Sequence, residues 1–168
     1  TPLHRLDRLS ASMGLELWVK RDDLTGFALG GNKGRKLEFL IGAAIQAGAE
    51  VVVSCGAAQS NFLRQLAGAA SSLKMQCACA VMDLPFEPEY GKPVGNLLAR
   101  SGANLALTQM LGADVRKHED GSWDCLFEKT EELALEYEAQ GKRVFRIPIG
   151  GSSALGACGY VAAAEEIK

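Results

Sequence analysis

Three cationic side chains stand close together where a glycine-rich stretch gives way to a helical pattern. The stretch GFALGGNKGRKLEFL runs from Gly26 to Leu40, and its cations are Lys33, Arg35 and Lys36. Like charges repel at the positive end of a helix dipole, so such a cluster needs a reason. A lysine that loses part of its preference for the charged form can make a Schiff base with an aldehyde cofactor. We expect this of Lys33, with Arg35 and Lys36 available for phosphate or carboxylate; a solvated basic turn is the alternative.

The residues around this cluster favour a helix start but not a nucleotide-binding loop. Asn32 is of a type that caps helices, which would place Lys33 in the first turn and Lys36 on the same face. Gly26 and Gly31 have the spacing of a phosphate-binding loop, but the Gly-Lys-Ser/Thr that must follow is missing.

A second stretch, VVVSCGAAQSNFLRQ, combines an apolar run with polar residues at the start of a helical pattern. Gln59, Ser60 and Asn61 stand at that start, where free backbone N–H groups can bind a carboxylate. Ser60 and Asn61 would add a hydroxyl and an amide to such a site. The alternative is that Ser60 only caps the helix.

A third stretch, RIPIGGSSALGACGYV, is rich in glycine without the G-x-G-x-x-G spacing of a dinucleotide site. This stretch can be either a closely packed strand-to-helix turn or an anion site, and the sequence favours neither. His4 lies near the start of the chain and His118 in a polar loop, so neither a Ser-His-Asp triad nor a metal site is predicted.

Strand-like and helix-like patterns alternate along the chain, and they must position these stretches. This alternation predicts an α/β fold, with open twisted mostly parallel sheets and helices on both faces. Ligands of such sheets bind beyond the carboxyl ends of the strands, here after Ser54 and Ile147. The predicted strands are 15–23, 50–56, 75–82, 104–108 and 143–150; the predicted helices are 32–48, 60–74, 92–102, 124–141 and 154–168.

Composition narrows the class of protein. The 168 residues are 48% hydrophobic, which is enough for a buried core, and the net charge of −2 predicts neither a nucleic-acid nor a membrane partner. The five cysteines have no metal-type spacing, and Cys77 and Cys79 fall on one face of a predicted strand. Buried reduced thiols are expected, as in a cytoplasmic enzyme.

Together these stretches resemble pyridoxal-phosphate enzymes of the tryptophan-synthase-β fold (fold type II). The branch is that of D-cysteine desulfhydrase and 1-aminocyclopropane-1-carboxylate (ACC) deaminase. The resemblance lies in WVKRDDLTGFALGGNKGRKLEFL, GAAQSNFLRQLAGAA, LGADVR and IPIGGSSALGACGYV, which span nearly the whole chain in matching order.

The resemblance implies a role for each candidate residue. Lys33 matches the lysine that holds pyridoxal 5'-phosphate as a Schiff base and moves protons on the substrate carbon, and Lys36 lies where a phosphate contact is expected. Asn61 matches the asparagine that hydrogen-bonds the cofactor's phenolic oxygen. Ser60 matches the serine beside the reacting centre, where neighbouring backbone N–H groups hold the substrate carboxylate.

The first and third stretches look more like D-cysteine desulfhydrase than the deaminase. That implies α,β-elimination from a small amino acid, D-cysteine, to pyruvate, ammonia and sulfide. Phe62, expected at the substrate site, stands where the family generally has His or Gln, and Ser153 where it has Asn. Another small amino acid or a sulfonated analogue is therefore an alternative, as are ACC deaminase activity and an inactive fragment or cofactor-free binding remnant.

The resemblance also implies a division of the chain. Residues 1–49 would start a large cofactor-binding domain, 50–148 would form a small α/β domain, and 149–168 would return to the large domain. Because family members are longer, we expect this chain to be part of an enzyme that is homodimeric when complete. By itself the chain is expected to bind pyridoxal phosphate weakly and to show no turnover.

Overall fold

The computed structural model describes residues 1–91 and 102–168, and it opens with a small antiparallel sheet. Strands β1 (Leu3–Arg5) and β2 (Trp18–Lys20) flank helix α1 (Asp7–Met13) and pair with Leu3 opposite Lys20. β2 lies inside the predicted strand 15–23. The sequence pattern did not predict β1 or α1.

The main sheet has four parallel strands in the order β5–β4–β3–β6, which confirms the predicted α/β class. Its strands are β3 (Val51–Ala57), β4 (Gln76–Met82), β5 (Asp114–Lys117) and β6 (Val144–Arg146). The α-helices that follow α1 in the described residues are α2 (Lys33–Gln46), α3 (Asn61–Ser72), α4 (Asn104–Met110), α5 (Trp123–Ala139) and α6 (Ala154–Glu165).

Helices cover both faces of this sheet because successive strand side chains point to opposite sides. Val52 of β3, with Cys77 and Cys79 of β4, packs in the core that includes α2 and α3. Val51 and Val53 pack in the second core, against α5. The predicted shared face of the two cysteines is confirmed.

The cysteine prediction holds for only part of the set. Cys55, Cys77 and Cys79 are buried free thiols, and burial raises the pKa of the Cys55 thiol. Cys125 is exposed instead.

The prediction of a strand at 104–108 is wrong, because these residues lie in α4. A five-residue apolar run fits a buried strand or a helix segment equally well, and leucine and alanine are good helix formers. The strand lies just after it, at β5 (Asp114–Lys117). The predicted helix 92–102 lies, except for Gly102, outside the described residues.

The division of the chain at residues 49 and 148 stays a prediction. Leu37, Leu40 and Ile41 of α2 lie in the same core as Leu63 and Leu66 of α3. This core therefore includes residues on both sides of the first predicted boundary.

Helices α2 and α6 approach each other closely through glycine. A Cβ on Gly159 of α6 would overlap the backbone carbonyl of Arg35 in α2. A Cβ on Gly156 would overlap the carbonyl of Gly151, in the turn that precedes α6. The small residues of the third stretch therefore set the distance between the two helices.

We expect Gly159→Ala to lower the free energy of unfolding by about 1–3 kcal/mol, because its methyl group must push the helices apart. Gly42→Ala in α2 is the matched control, since a Cβ there has no neighbouring atom within 4 Å. That change is expected to stabilise the helix by roughly 0.5–1 kcal/mol. Chemical denaturation of both variants measures the difference; equal stabilities would contradict the close approach.

Candidate active site

The loop that leads to Lys33 has a strained backbone. Ala28 and Leu29 have φ angles of 43° and 67°, in a region that costs a non-glycine residue about 1–2 kcal/mol. Such strain persists only where surrounding contacts hold it, and it clusters at functional sites. Here it directly precedes α2, whose first residue is Lys33.

The carbonyl of Gly30 ties this loop to α3. It accepts hydrogen bonds from Arg64 Nη2 at 2.7 Å and from Gln65 Nε2 at 3.2 Å. Gln65 is completely buried, and Arg64 Nη1 also donates to Asn104 Oδ1 of α4 at 2.8 Å. The segment carrying Lys33 is thus fixed to the helix that follows β3.

Gly31 brings this segment against the start of α3. Its φ is 124°, and a Cβ there would lie 2.5 Å from Gln65 Nε2 and 3.7 Å from Asn61 Nδ2. A side chain would therefore collide with the buried Gln65 amide, and the conformation itself favours glycine. The first and second predicted stretches meet at this contact.

Ser60, Asn61 and Phe62 lie where α3 begins, just beyond the carboxyl end of β3. Leu63 N–H donates to Ser60 Oγ at 3.4 Å, so Ser60 caps the helix, and this bond does not use its hydroxyl hydrogen. The N–H groups of Asn61 and Phe62 have no partner within the helix because they lie in its first turn. One end of the sheet thus gathers a hydroxyl, an exposed amide and free N–H groups.

The Phe62 side chain is buried in the core, at 1% exposure. A Cβ on Gly151 would lie 3.0 Å from its ring. Contact of Phe62 with a substrate stays a prediction, and the group that reaches the helix end is its backbone N–H.

Lys36 already has partners at the turn after β6. Its Nζ donates to the carbonyl of Gly150 at 3.1 Å and to Ser152 Oγ at 3.2 Å. Burial, followed by repulsion from Lys33, lowers the pKa of Lys36. The charges of Lys33 and Lys36 therefore repel each other, as expected of residues on one helix face.

Arg35 is not available for phosphate or carboxylate, contrary to the expectation from the sequence. It forms a bidentate ion pair with Asp22, at 2.6 and 2.8 Å, and binds Glu166 at 2.8 Å. These contacts raise the pKa of Arg35 and hold the pKa of Glu166 at about 2. Side chains two positions apart on a helix point to nearly opposite sides. Arg35 therefore points away from Lys33, toward Thr1 and Glu166.

Asn32 does not cap α2 with its side chain, which corrects a second expectation. Its amide lies between Lys33 and Tyr160, a residue that sequence reasoning missed. Lys33 Nζ donates to Asn32 Oδ1 at 3.3 Å, and Asn32 Nδ2 donates to Tyr160 Oη at 2.8 Å. Tyr160 follows Gly159 in α6, so the small residues that bring α6 close to α2 were the available signal.

Gly156 and Gly159 of the third stretch serve close packing, since a Cβ at either position would overlap a backbone carbonyl. Ser153 caps α6, since Gly156 N–H donates to Ser153 Oγ at 3.1 Å. Ser153, which stands where the family resemblance leads us to expect Asn, is therefore a helix cap beside the turn that binds Lys36.

Residues 1–91 and 102–168 contain no group of three or more His, Cys, Asp or Glu side chains that could hold a metal ion. No helix in these ranges is both long enough and apolar enough to cross a membrane.

Comparison with known families and curated proteins gives a consistent result. The family model described as "Pyridoxal-phosphate dependent enzyme" matches residues 1–168. D-cysteine desulfhydrase of Yersinia pestis (strain Pestoides F) is 43% identical over 167 residues, which are 99% of this chain and 48% of that protein. The Klebsiella pneumoniae (strain 342) D-cysteine desulfhydrase is 44% identical over 170 residues, with the same coverage. The chain thus spans about half the length of these relatives.

Solved structures agree on the fold. An ACC deaminase homologue superposes with a TM-score of 0.83 at 34% identity, over 99% of this chain and 47% of that one. A fungal L-serine ammonia-lyase from Rhizomucor miehei gives 0.71 at 15% identity, over 100% of this chain and 45% of that one. The second likeness concerns the fold alone.

Proposed function

Because the chain belongs to the family of pyridoxal-phosphate-dependent enzymes, we propose that the complete protein is a lyase that eliminates sulfide from D-cysteine. The net reaction consumes one water and yields pyruvate, ammonia and sulfide. Similarity to D-cysteine desulfhydrases supports the substrate. The structural observation that carries the proposal is the contact at Gly31, which joins the loop of Lys33 to the start of α3.

The residues at this contact fit pyridoxal phosphate. Its aldehyde requires a primary amine, which Lys33 supplies, and its phenolic oxygen requires a donor, which the exposed Asn61 amide supplies. Lys36 offers a charge for the phosphate. When bound, the cofactor supplies an electron sink for the α-carbon of the substrate.

Lys33 and Ser60 are the proposed proton carriers. The ε-amine of Lys33 would hold the cofactor and would take the proton from the substrate's α-carbon. The Ser60 hydroxyl can donate toward the substrate, because its bond with Leu63 N–H uses only the oxygen. The first-turn N–H groups of Asn61 and Phe62 hold the substrate carboxylate at the positive end of α3.

Product assays on the complete protein test this function. With D-cysteine and added pyridoxal phosphate, we expect sulfide and pyruvate in equal amounts. Pyruvate with no sulfide, or no product from D-cysteine, would contradict the proposal. A colourless protein that takes up no cofactor would indicate a binding remnant instead.

A second candidate is deamination of ACC, which the likeness to the ACC deaminase homologue favours. It is distinguished by 2-oxobutyrate formed from ACC. Phe62 and Ser153 differ from the family pattern, so a panel of small D-amino acids and sulfonated analogues belongs in the same assay.

We expect Lys36→Met to weaken pyridoxal phosphate binding about 10- to 150-fold, because a charged hydrogen bond contributes roughly 1.5–3 kcal/mol. Methionine keeps the apolar stem that packs near Gly151. Cofactor titration of the complete protein measures the change, with Lys129→Met on the exposed face of α5 as the control. Unchanged affinity would leave Lys36 with only its bond to the Gly150 turn.

Assembly and location are also part of the proposal. The family resemblance supports a homodimer and the three domain segments, and the buried free thiols fit a cytoplasmic enzyme. Light scattering of the complete protein measures the oligomer.

A further inference from the structure

The Asn32 side chain joins the candidate catalytic amine to a tyrosine on another helix. Its Oδ1 accepts a hydrogen bond from Lys33 Nζ at 3.3 Å. Its Nδ2 donates to Tyr160 Oη at 2.8 Å. The amide therefore lies between α2 and α6, with one end on each group.

The phenol of Tyr160 determines which way this amide faces. A phenol has one hydrogen, and Tyr160 donates it to the backbone carbonyl of Asn32 at 3.4 Å. The phenolic oxygen can then only accept, so it requires the NH₂ end of the amide. The carbonyl end must turn to Lys33. A reversed amide would place two acceptor oxygens together and turn its NH₂ group toward the Nζ–H donors of Lys33.

The protonation and position of Tyr160 both support this arrangement. Burial raises the pKa of Tyr160, so the phenol keeps its hydrogen through the neutral range. The neighbouring Gly159 lies against the backbone of Arg35, where no larger residue fits. The helix contact therefore fixes the phenol relative to the first turn of α2.

We propose that Tyr160 is a positioning residue for Lys33, acting through Asn32 by holding the amide carbonyl toward the amine. This rests on the proposed role of Lys33 in holding the cofactor. When Asn32 Oδ1 is fixed, its hydrogen bond holds Lys33 Nζ in one position for reaction with an aldehyde. Without the phenol, the amide is free to rotate and the amine loses its fixed partner.

The test measures how fast pyridoxal phosphate attaches to the cofactor-free complete protein. Attachment joins the ε-nitrogen of Lys33 to the aldehyde carbon with loss of one water, and borohydride then reduces the bond to a stable amine for peptide mapping. Tyr160→Phe removes both hydrogen bonds of the phenol. We expect it to slow attachment roughly fivefold to tenfold, the effect of losing the bond that orients the Asn32 amide. Tyr90→Phe is the matched control, because Tyr90 is 84% exposed.

A double-mutant cycle separates positioning from general structural damage. Asn32→Asp presents an oxygen to Lys33 in either orientation, so the phenol has nothing left to select. In the Asn32→Asp background, Tyr160→Phe should leave the attachment rate unchanged. An equal slowing in both backgrounds, or none in Tyr160→Phe alone, would overturn the proposal for Tyr160. Attachment of the unmodified protein at another lysine would overturn both this proposal and the role of Lys33.

Discussion

Lys33→Ala is expected to abolish turnover and covalent cofactor attachment in the complete protein. Two functions are lost at once, since the same amine holds the cofactor and carries a proton. The proton-transfer role alone is worth about 10²–10⁴-fold in rate, so the combined loss should exceed that range. Borohydride trapping followed by peptide mapping, together with the sulfide assay, measures both.

Lys129→Ala serves as the control for Lys33→Ala, because Lys129 pairs with Glu132 on an exposed helix face. It should retain attachment and activity. If Lys33→Ala still attached the cofactor at another lysine and released sulfide, the assignment of Lys33 would be wrong.

Ser60→Ala is expected to leave cofactor binding intact and to lower kcat by about 10²–10⁴-fold, the usual effect of removing a proton-transfer group. The substitution also removes the cap of α3, which costs about 1 kcal/mol of stability. Both effects are measurable, by steady-state kinetics and by chemical denaturation.

Ser122→Ala separates the two effects of Ser60→Ala. Ser122 caps α5 in the same way, since Cys125 N–H donates to Ser122 Oγ at 3.2 Å. It should lose similar stability and no activity. Equal kcat values in the two variants would show that Ser60 is only a cap.

The local pattern of apolar residues predicted those helices and strands whose buried faces follow directly from that pattern. The strand at Val51–Val53 was predicted because its β-branched run is buried on both faces of the sheet. Helix α3 was predicted because its apolar side chains recur at helical spacing. The pattern failed at α4, where a short apolar run leaves the choice between helix and strand to its contacts. Thr108, for example, donates to the Asn104 carbonyl one helical turn earlier.

Partners distant in sequence account for the other corrections. Arg35 was grouped with Lys33 by proximity along the chain, yet its partner Glu166 is 131 residues away. Asn32 had the right type for a cap, but Tyr160 competes for its amide from 128 residues away. No local pattern carries that information. The positions of Lys33, Ser60 and Asn61 could be predicted because strand ends and helix starts define them.

The pairing of β3 with β6 affects the order in which the protein folds. Val51 pairs with Gln76 of β4 after one short crossover, but with Val144 of β6 only after most of the chain has passed. The entropy lost on loop closure rises by about 0.6 kcal/mol for each doubling of loop length. The β3–α3–β4 unit is therefore expected to form early, and the β6–α6 segment that carries Tyr160 to dock late. An intermediate that has formed β3 and β4 but not docked α6 would lack the Tyr160 contact that positions Lys33 through Asn32. Cofactor attachment would then follow the last folding step rather than the first.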